Sequence, residues 1–452
     1  MEQAVLEKTQ VNAYATYINP QWVKLLDLLQ MNVKYVRCEG AELFTSDGRR
    51  ILDFLSGFCV YNAGHNHPMI IAAVKDELDK KGPLMLQSHI PELAGKAAQR
   101  LCTLAGGQLK RVVFCNSGSE GVETAIKFTR AHTKRSGLLY CHGAFHGLTC
   151  GALSLMGDPL WKDDFGPMLP NVEAVDYNDL KELEKKLQTK KFAAFILEPI
   201  QAEAGIIFPQ GNYLQEVQRL CRQYGTMFVL DEVQTGVWRT GTFLAAHHYN
   251  IDPDVVVLAK ALSGGVAPVG AVLMTERISN SVFSSLKRAN VHDSTFAENS
   301  LSMRALLATL DVLDQGQWGE KSAALAAHMR ERLSKALAPY EMFKSVRGIG
   351  MFTGIEWQAP KQFRRKISFE TIKRIHPAIF GQILVMQLYR EKGILSQICG
   401  NDFMVLKVVP PLVTTSEQID YFVKSMTEVT DMIHTSEALW SEALGIVTRT
   451  MI

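Results

Sequence analysis

The stretch MFVLDEVQTGVWRTG, residues 227–241, sets an apolar run, Met227 to Leu230, directly before two adjacent carboxylates, Asp231 and Glu232. An apolar run without alternation reads as a strand buried on both faces, the habit of a parallel sheet covered by helices. Charge at the tip of such a strand is costly unless a cation or a hydrogen-bond donor waits there. Ligands of open α/β sheets bind at the carboxyl ends of the strands. The stretch therefore predicts both a fold and the edge of the sheet where chemistry belongs.

Four further runs share this texture: RVVFCN (111–116), FAAFILEPI (192–200), DVVVLAK (254–260) and VGAVLM (269–274). Helical patterns separate them. Between Glu120 and Thr133, Val122, Ala125, Ile126 and Thr129 share one face, and Glu123 precedes Lys127 by four residues. Strand and helix in alternation predict an α/β fold with a mostly parallel central sheet and helices on both faces. Residues 41–54 read as a hairpin turning at Asp47 and Gly48. Residues 319–338 read as a helix, and 345–357 and 404–413 as strands of a smaller α+β unit. The expected organisation is a large domain over 76–330 and a small domain assembled from both ends of the chain, 1–75 and 331–452.

With 452 residues, 47% of them hydrophobic, the chain can bury a large core. A formal charge of +2 with mixed signs predicts no nucleic-acid partner. The eight cysteines form no CxxC pair, so neither a metal site nor a disulfide framework is expected, and reduced thiols filling core volume are. The opening MEQAVLEKTQ carries Glu2 and Glu7 and lacks the features of a signal or transit peptide. No apolar stretch reaches the ~20 residues of a membrane span. The expectation is a soluble cytoplasmic protein with no membrane association.

Four connections carry unusual chemistry. After the strand ending at Asn116, Ser117, Gly118 and Ser119 open a helix, whose free N–H groups and dipole suit a phosphate; an ordinary serine cap would look the same. Asp231 could pair with an arginine or hold a proton on a heteroaromatic nitrogen. Lys260 closes DVVVLAK, where desolvation would lower its pKa and make it a nucleophile for carbonyl carbons, although a solvated strand end is the plainer reading. Phe145 and His146 in AFHG would alone read as core. Together they are the parts that hold pyridoxal 5′-phosphate: a phosphate cradle, an aromatic lid, a carboxylate for the ring nitrogen and a lysine for the carbonyl carbon.

The order of NSGSE, FHG, LEPIQAEAG, LDEVQTG, LAKALSGG, HDSTF and VVPPL resembles the class III aminotransferases of fold type I, the ornithine, acetylornithine and ω-amine group, over about residues 15–435. That resemblance implies a pyridoxal-phosphate enzyme of fold type I and a homodimer with shared active sites. It implies that Gly118 and Ser119 bind the phosphate, that Phe145, followed by His146, stacks on the ring, and that Val233 packs on the opposite face. Asp231 would pair with the ring nitrogen, Gln234 would lie near the ring hydroxyl, and Lys260 would hold the cofactor covalently and shuttle the proton. Thr295 would reach the neighbouring subunit's phosphate, and Glu198 and Glu203 match a structural and a gating glutamate.

Three positions depart from the ornithine pattern. Leu148 and Lys407 stand where those enzymes place arginines, and Phe58 where ornithine aminotransferase has a tyrosine. Loss of one guanidinium and replacement of the other by a point charge weakens recognition of two fixed carboxylates. With Val60 and Tyr61 nearby, these changes predict an apolar pocket, Lys407 being the candidate partner for a co-substrate carboxylate or a solvated lysine. The expected activity is ping-pong transfer of an amino group from an amine or amino acid to a keto acid, ketone or aldehyde, the main substrate being apolar or an ω-amine or aldehyde, in a setting that includes biosynthesis. Aminomutase, phospho-lyase and decarboxylase chemistry share the same cage; an inactive cofactor-fold binding protein would have lost Lys260 or Asp231. Glu232 is expected to be structural, and Trp238 either to shape the pocket or to pack.

Overall fold

The computed structural model describes residues 13–375, 377–400, 403–436 and 440. The N-terminal MEQAVLEKTQ and the end of the segment 331–452 lie outside them. Strands β1 (Tyr35–Glu39), β2 (Glu42–Thr45) and β3 (Arg50–Asp53) open the chain, β2 and β3 joining at the expected hairpin. The central sheet uses β4 (Leu109–Cys115), β5 (Gly137–Cys141), β6 (Val172–Val175), β7 (Phe192–Leu197), β8 (Met227–Asp231), β9 (Val255–Leu258) and β10 (Gly270–Thr275). Their order is β4-β10-β9-β8-β7-β5-β6, parallel from β9 to β6, with β10 antiparallel to both β9 and β4.

β7 and β8 are buried along their whole length, which is why their sequences show no alternation. Helices cover both faces, among them Gly118–Thr133, which packs on β4, β7, β9 and β10 in one hydrophobic cluster, and Ser300–Gln315, whose buried residues belong to a second, larger cluster. The helix Gly118–Thr133 begins at the cap Ser117, whose Oγ accepts the Glu120 N–H at 3.2 Å. Trp318–Leu337 matches the expected C-terminal helix. Five of the eight free thiols are buried and Cys150 is exposed, outside the core role expected of it.

β11 (Phe343–Ile349), β12 (Phe352–Trp357), β14 (Gln397–Cys399) and β15 (Val405–Val408) form one small sheet. A second joins the chain ends: β13 (Ile394–Leu395) pairs in parallel with β3. After β3, residues Ser56, Gly57, Phe58 and Cys59 all lie in the left-handed region, with φ of 46°, 59°, 60° and 71°. That conformation costs roughly 1–2 kcal/mol for each non-glycine residue. Asp53 offsets it by accepting the Leu55 and Ser56 N–H groups, and the Ser56 hydroxyl donates to the Val409 carbonyl at 2.6 Å.

Arg239, from the opening stretch, closes this arrangement. Its guanidinium is fully buried and donates to the Met351 and Pro410 carbonyls, to Ser56 Oγ and to Asn62 Oδ1. All four acceptors are neutral, and they come from three separate parts of the chain, 56–62, 351 and 410. Replacing Arg239 with alanine strands these acceptors, so urea unfolding should show a loss of about 3 kcal/mol or more. A loss under ~1 kcal/mol would remove the hub from the account of stability.

Candidate active site

A cavity of about 490 Å³ opens at the carboxyl ends of β4, β7, β8 and β9. Asn116, Ser117, Gly118 and Ser119 line one side at the N-terminus of the helix Gly118–Thr133, so orphan N–H groups and the positive end of the dipole face it. Gly118 is there because a Cβ would meet the Val233 methyls at 2.9 and 3.0 Å. Gly147, at φ 117°, leaves room for Ser119, whose Oγ lies 2.8 Å from Thr149 Oγ1 and accepts the Thr149 N–H.

Asp231 ends β8 inside this cavity and is buried. Its Oδ1 accepts the Val233 N–H, and its Oδ2 lies 2.8 Å from His146 Nδ1. Burial pulls the imidazole pKa down, but the Asp231 bond and the nearby Glu198 charge outweigh it, and the net direction is up. Glu198 accepts the Phe145 and Ala202 N–H groups at 3.1 and 2.9 Å. Burial pushes its carboxyl up to about 7, His146 pulling against this and Asp231 adding to it. Glu232 points away and accepts the Ala245 and Ala246 N–H groups and the Thr235 hydroxyl, which is the structural role expected of it.

Lys260 lines the same cavity at a left-handed φ of 46°. An ordinary residue held there is strained, and such strain collects at functional sites. Desolvation lowers the ammonium pKa, which favours the nucleophilic free amine. Phe145, Val233 and Gln234 share the lining with it, so eight of the nine residues assigned to the cofactor meet in one place. The exception is Thr295, which lies in a separate hollow with Leu84, Met85 and Asp293. Its neighbour Ser294 ties that loop to the cavity by accepting from Asn116 Nδ2 at 2.8 Å.

Of the four residues assigned to substrate, Phe58, Leu148, Glu203 and Lys407, none is in the cavity lining, and three meet around the Lys407 ammonium. Lys407 is fully buried, not solvated, and its ammonium is ion-paired with Glu203. Burial opposes both charges, but each partner outweighs it: the Lys407 pKa is raised and the Glu203 pKa lowered. Gln234 Nε2 donates to the same Glu203 carboxylate at 3.1 Å. The Lys407 ammonium also lies 5.2 Å from the Phe58 ring centroid. Leu148 follows the lining residue Gly147 and is 54% exposed. Val60 lines the cavity, whereas Trp238 is buried edge-on against Phe243 and packs.

The model of the aminotransferase class-III family matches residues 27–430. The chain belongs to the class III aminotransferases. It is 34% identical to aminotransferase PigE of a Serratia species over 94% of the chain, and spans 54% of the length of that relative. It is 33% identical to putrescine aminotransferase of Pectobacterium atrosepticum, with 95% of the chain and 90% of the relative covered. Among solved structures, an ornithine aminotransferase of Toxoplasma gondii, described with pyridoxal phosphate at its active site, superposes with a TM-score of 0.79 at 28% identity, over 89% of the chain and 91% of that structure.

Pyridoxal 5′-phosphate is the cofactor of this class III aminotransferase, and the lining fits it. Three lining residues leave a buried polar atom without a partner: Asn116 Oδ1, His146 Nε2 and Gln234 Oε1. A helix N-terminus for an anion, a carboxylate at the strand tip and a desolvated lysine complete the donor set. Sequence reasoning did not single out Asn116, Thr149 or the run Val266–Val269 that closes the lining. Asn116 stood inside the quoted NSGSE motif, and its position at the strand tip was the available signal; the other contacts are set by folding alone.

Glu198 links the site to stability. A folded-state pKa raised from 4.5 to about 7 means the folded protein holds a proton that the unfolded chain releases. The contribution is fully present below about 4.5 and is lost as pH rises through about 7, at most about 3 kcal/mol. Urea unfolding across that window should show the decline, and Glu198→Gln should flatten it. Identical slopes in both proteins would refute the assignment.

Proposed function

We propose that this class III aminotransferase takes its amino group from a terminal amine with an apolar body and passes it to a keto acid, ketone or aldehyde. The observation that carries the reading is that the described lining holds no guanidinium and no lysine besides Lys260, while Lys407 is committed to Glu203. A donor whose reacting carbon bears a carboxylate finds no planar fork to grip it. Phe58 and Leu148, both exposed, add apolar surface instead. One relative is named for putrescine, a diamine without a carboxylate.

When bound, pyridoxal 5′-phosphate supplies an electron sink for the carbon that bears the amine. The chain does the rest. The backbone N–H groups at Gly118 and Ser119, with the Ser119 hydroxyl, hold the phosphate, and Phe145 and Val233 clamp the ring between them. Asp231, oriented by His146, keeps a proton on the ring nitrogen, which deepens the sink. Gln234 holds the ring hydroxyl. Lys260 would hold the carbonyl carbon of the cofactor, and its Nζ would be the group that moves the proton at the amine-bearing carbon. Glu203 and Lys407 form the part of the wall that opens for a carboxylate co-substrate, the ammonium being the group that would receive it.

A panel of amines and amino acids, scored by loss of the cofactor's visible absorbance, tests the reading. Terminal amines without an α-carboxylate should be the best donors, and the Leu148→Arg, Lys407→Arg double variant should shift preference toward dicarboxylic substrates. An unchanged profile in that variant would count against the pocket argument. Lys260→Ala should lose turnover by about a thousandfold.

The reading includes a homodimer and a division into a large domain (76–330) flanked by a small one built from 1–75 and 331–452. Ile90, Leu286 and Phe296 are exposed apolar residues, and Ser300 binds the Leu84 carbonyl beside the hollow that holds Thr295. A second copy covering this surface would bring Thr295 to the partner's phosphate. Sedimentation of the holoenzyme should give about twice the monomer mass, and a monomer that retains full activity would exclude shared sites.

A further inference from the structure

The whole-chain charge of +2 hides a local concentration. Residues 361–375, KQFRRKISFETIKRI, contain six lysines and arginines and a single carboxylate, Glu370, so this segment carries +5 while the rest of the chain is net negative. It forms the helix Phe363–Ile375. Phe369 and Ile372 are buried, and Phe369 packs edge-on against Phe380 at 5.4 Å between centroids, which fixes the helix by one face to the next helix, Ile379–Lys392.

Folding explains that face but not the other. Phe363 is 76% exposed and Ile367 52% exposed, one turn apart, and both point outward. Lys366, Glu370 and Arg374 continue the same stripe at helical spacing, and Lys361 and Lys373 are exposed beside it. Among the described residues the helix thus presents two apolar side chains framed by cations on its free side. A large aromatic and a β-branched residue held side by side in water among cations call for an external surface.

We propose that this helix docks the protein on an anionic lipid surface. The excess positive charge complements such a surface, each cation near it adding attraction, and Phe363 and Ile367 enter the boundary between headgroups and acyl chains. Lying in the interface needs no spanning segment, and none of the described helices is long and apolar enough to cross a membrane. Charge alone would serve an acidic protein equally well; the outward apolar pair, set among cations instead of forming a continuous apolar groove, favours lipid. This departs from the expectation of no membrane association and stands independently of the substrate reading.

Co-sedimentation of the full-length holoenzyme with vesicles of phosphatidylcholine, with and without phosphatidylglycerol, tests it. The protein should bind the anionic vesicles and not the neutral ones, and release them as salt rises from about 0.02 to about 0.5 M. Lys366→Glu with Arg374→Glu should weaken binding about tenfold or more. Phe363→Ser with Ile367→Ser should weaken it at low salt while leaving transaminase activity unchanged, which controls for folding. Absence of binding to anionic vesicles at low salt, or full binding by either double variant, would overturn the proposal. Capture by soluble polyglutamate without any vesicle binding would overturn it in favour of an acidic protein.

Discussion

A carboxylate at the tip of a fully buried strand governs the architecture around it. Asp231 sits where water is excluded, and an uncompensated charge there would be expensive. The protein answers by bringing His146 Nδ1 to 2.8 Å and the Val233 N–H to the other oxygen. These partners lie on two different connections of the sheet, so satisfying one side chain fixes how those connections run. The helix N-terminus at Ser117 and the lysine at the end of the neighbouring strand then face the same space. A binding cage results from meeting one electrostatic demand in a parallel sheet, whose strand ends all open on the same side.

The walls of the cavity depend on a different device. Val60, which lines the cavity, directly follows the left-handed turn Ser56–Cys59, held by Asp53, Ser56 and the guanidinium of Arg239. Arg239 joins the turn to residues 351 and 410 with neutral acceptors only, so its charge is balanced by dipoles. Phe58 in turn lies beside Lys407, the cation paired with Glu203. Shape at the substrate end is therefore transmitted from a buried hub, whereas shape at the cofactor end follows from the sheet.

That division also explains what could be read from the sequence. The strands over 111–116, 192–200, 227–233, 254–260 and 269–274 were legible because burial leaves apolar runs, although four of the five ends overshot by one to three residues, where cavity-lining residues follow, and the last stopped one residue short. Eight of the nine residues assigned to the cofactor line the cavity because they lie at a strand tip, at a helix start or in the connection that follows a strand. Strands β5 and β6 were not singled out: the first is five residues long, and the second is four and half-exposed. The antiparallel direction of β10 leaves no mark in its composition. The turn at 56–59 and the reach of Arg239 depend on groups far away in the chain, and Thr295 falls outside the cavity of its own chain for a reason that only the environment of the folded surface can supply.

The bond from Ser56 to the Val409 carbonyl spans 353 residues. Seen from the ribosome, the strained turn has only the local Asp53 bonds until the segment that bears Val409 has emerged. At about 5–20 residues per second that interval is roughly 20–70 s. The central sheet, complete by residue 275, can form during this time, while one wall of its cavity is still missing. The segment that supplies Val60 is thus made before the central sheet and secured only after it.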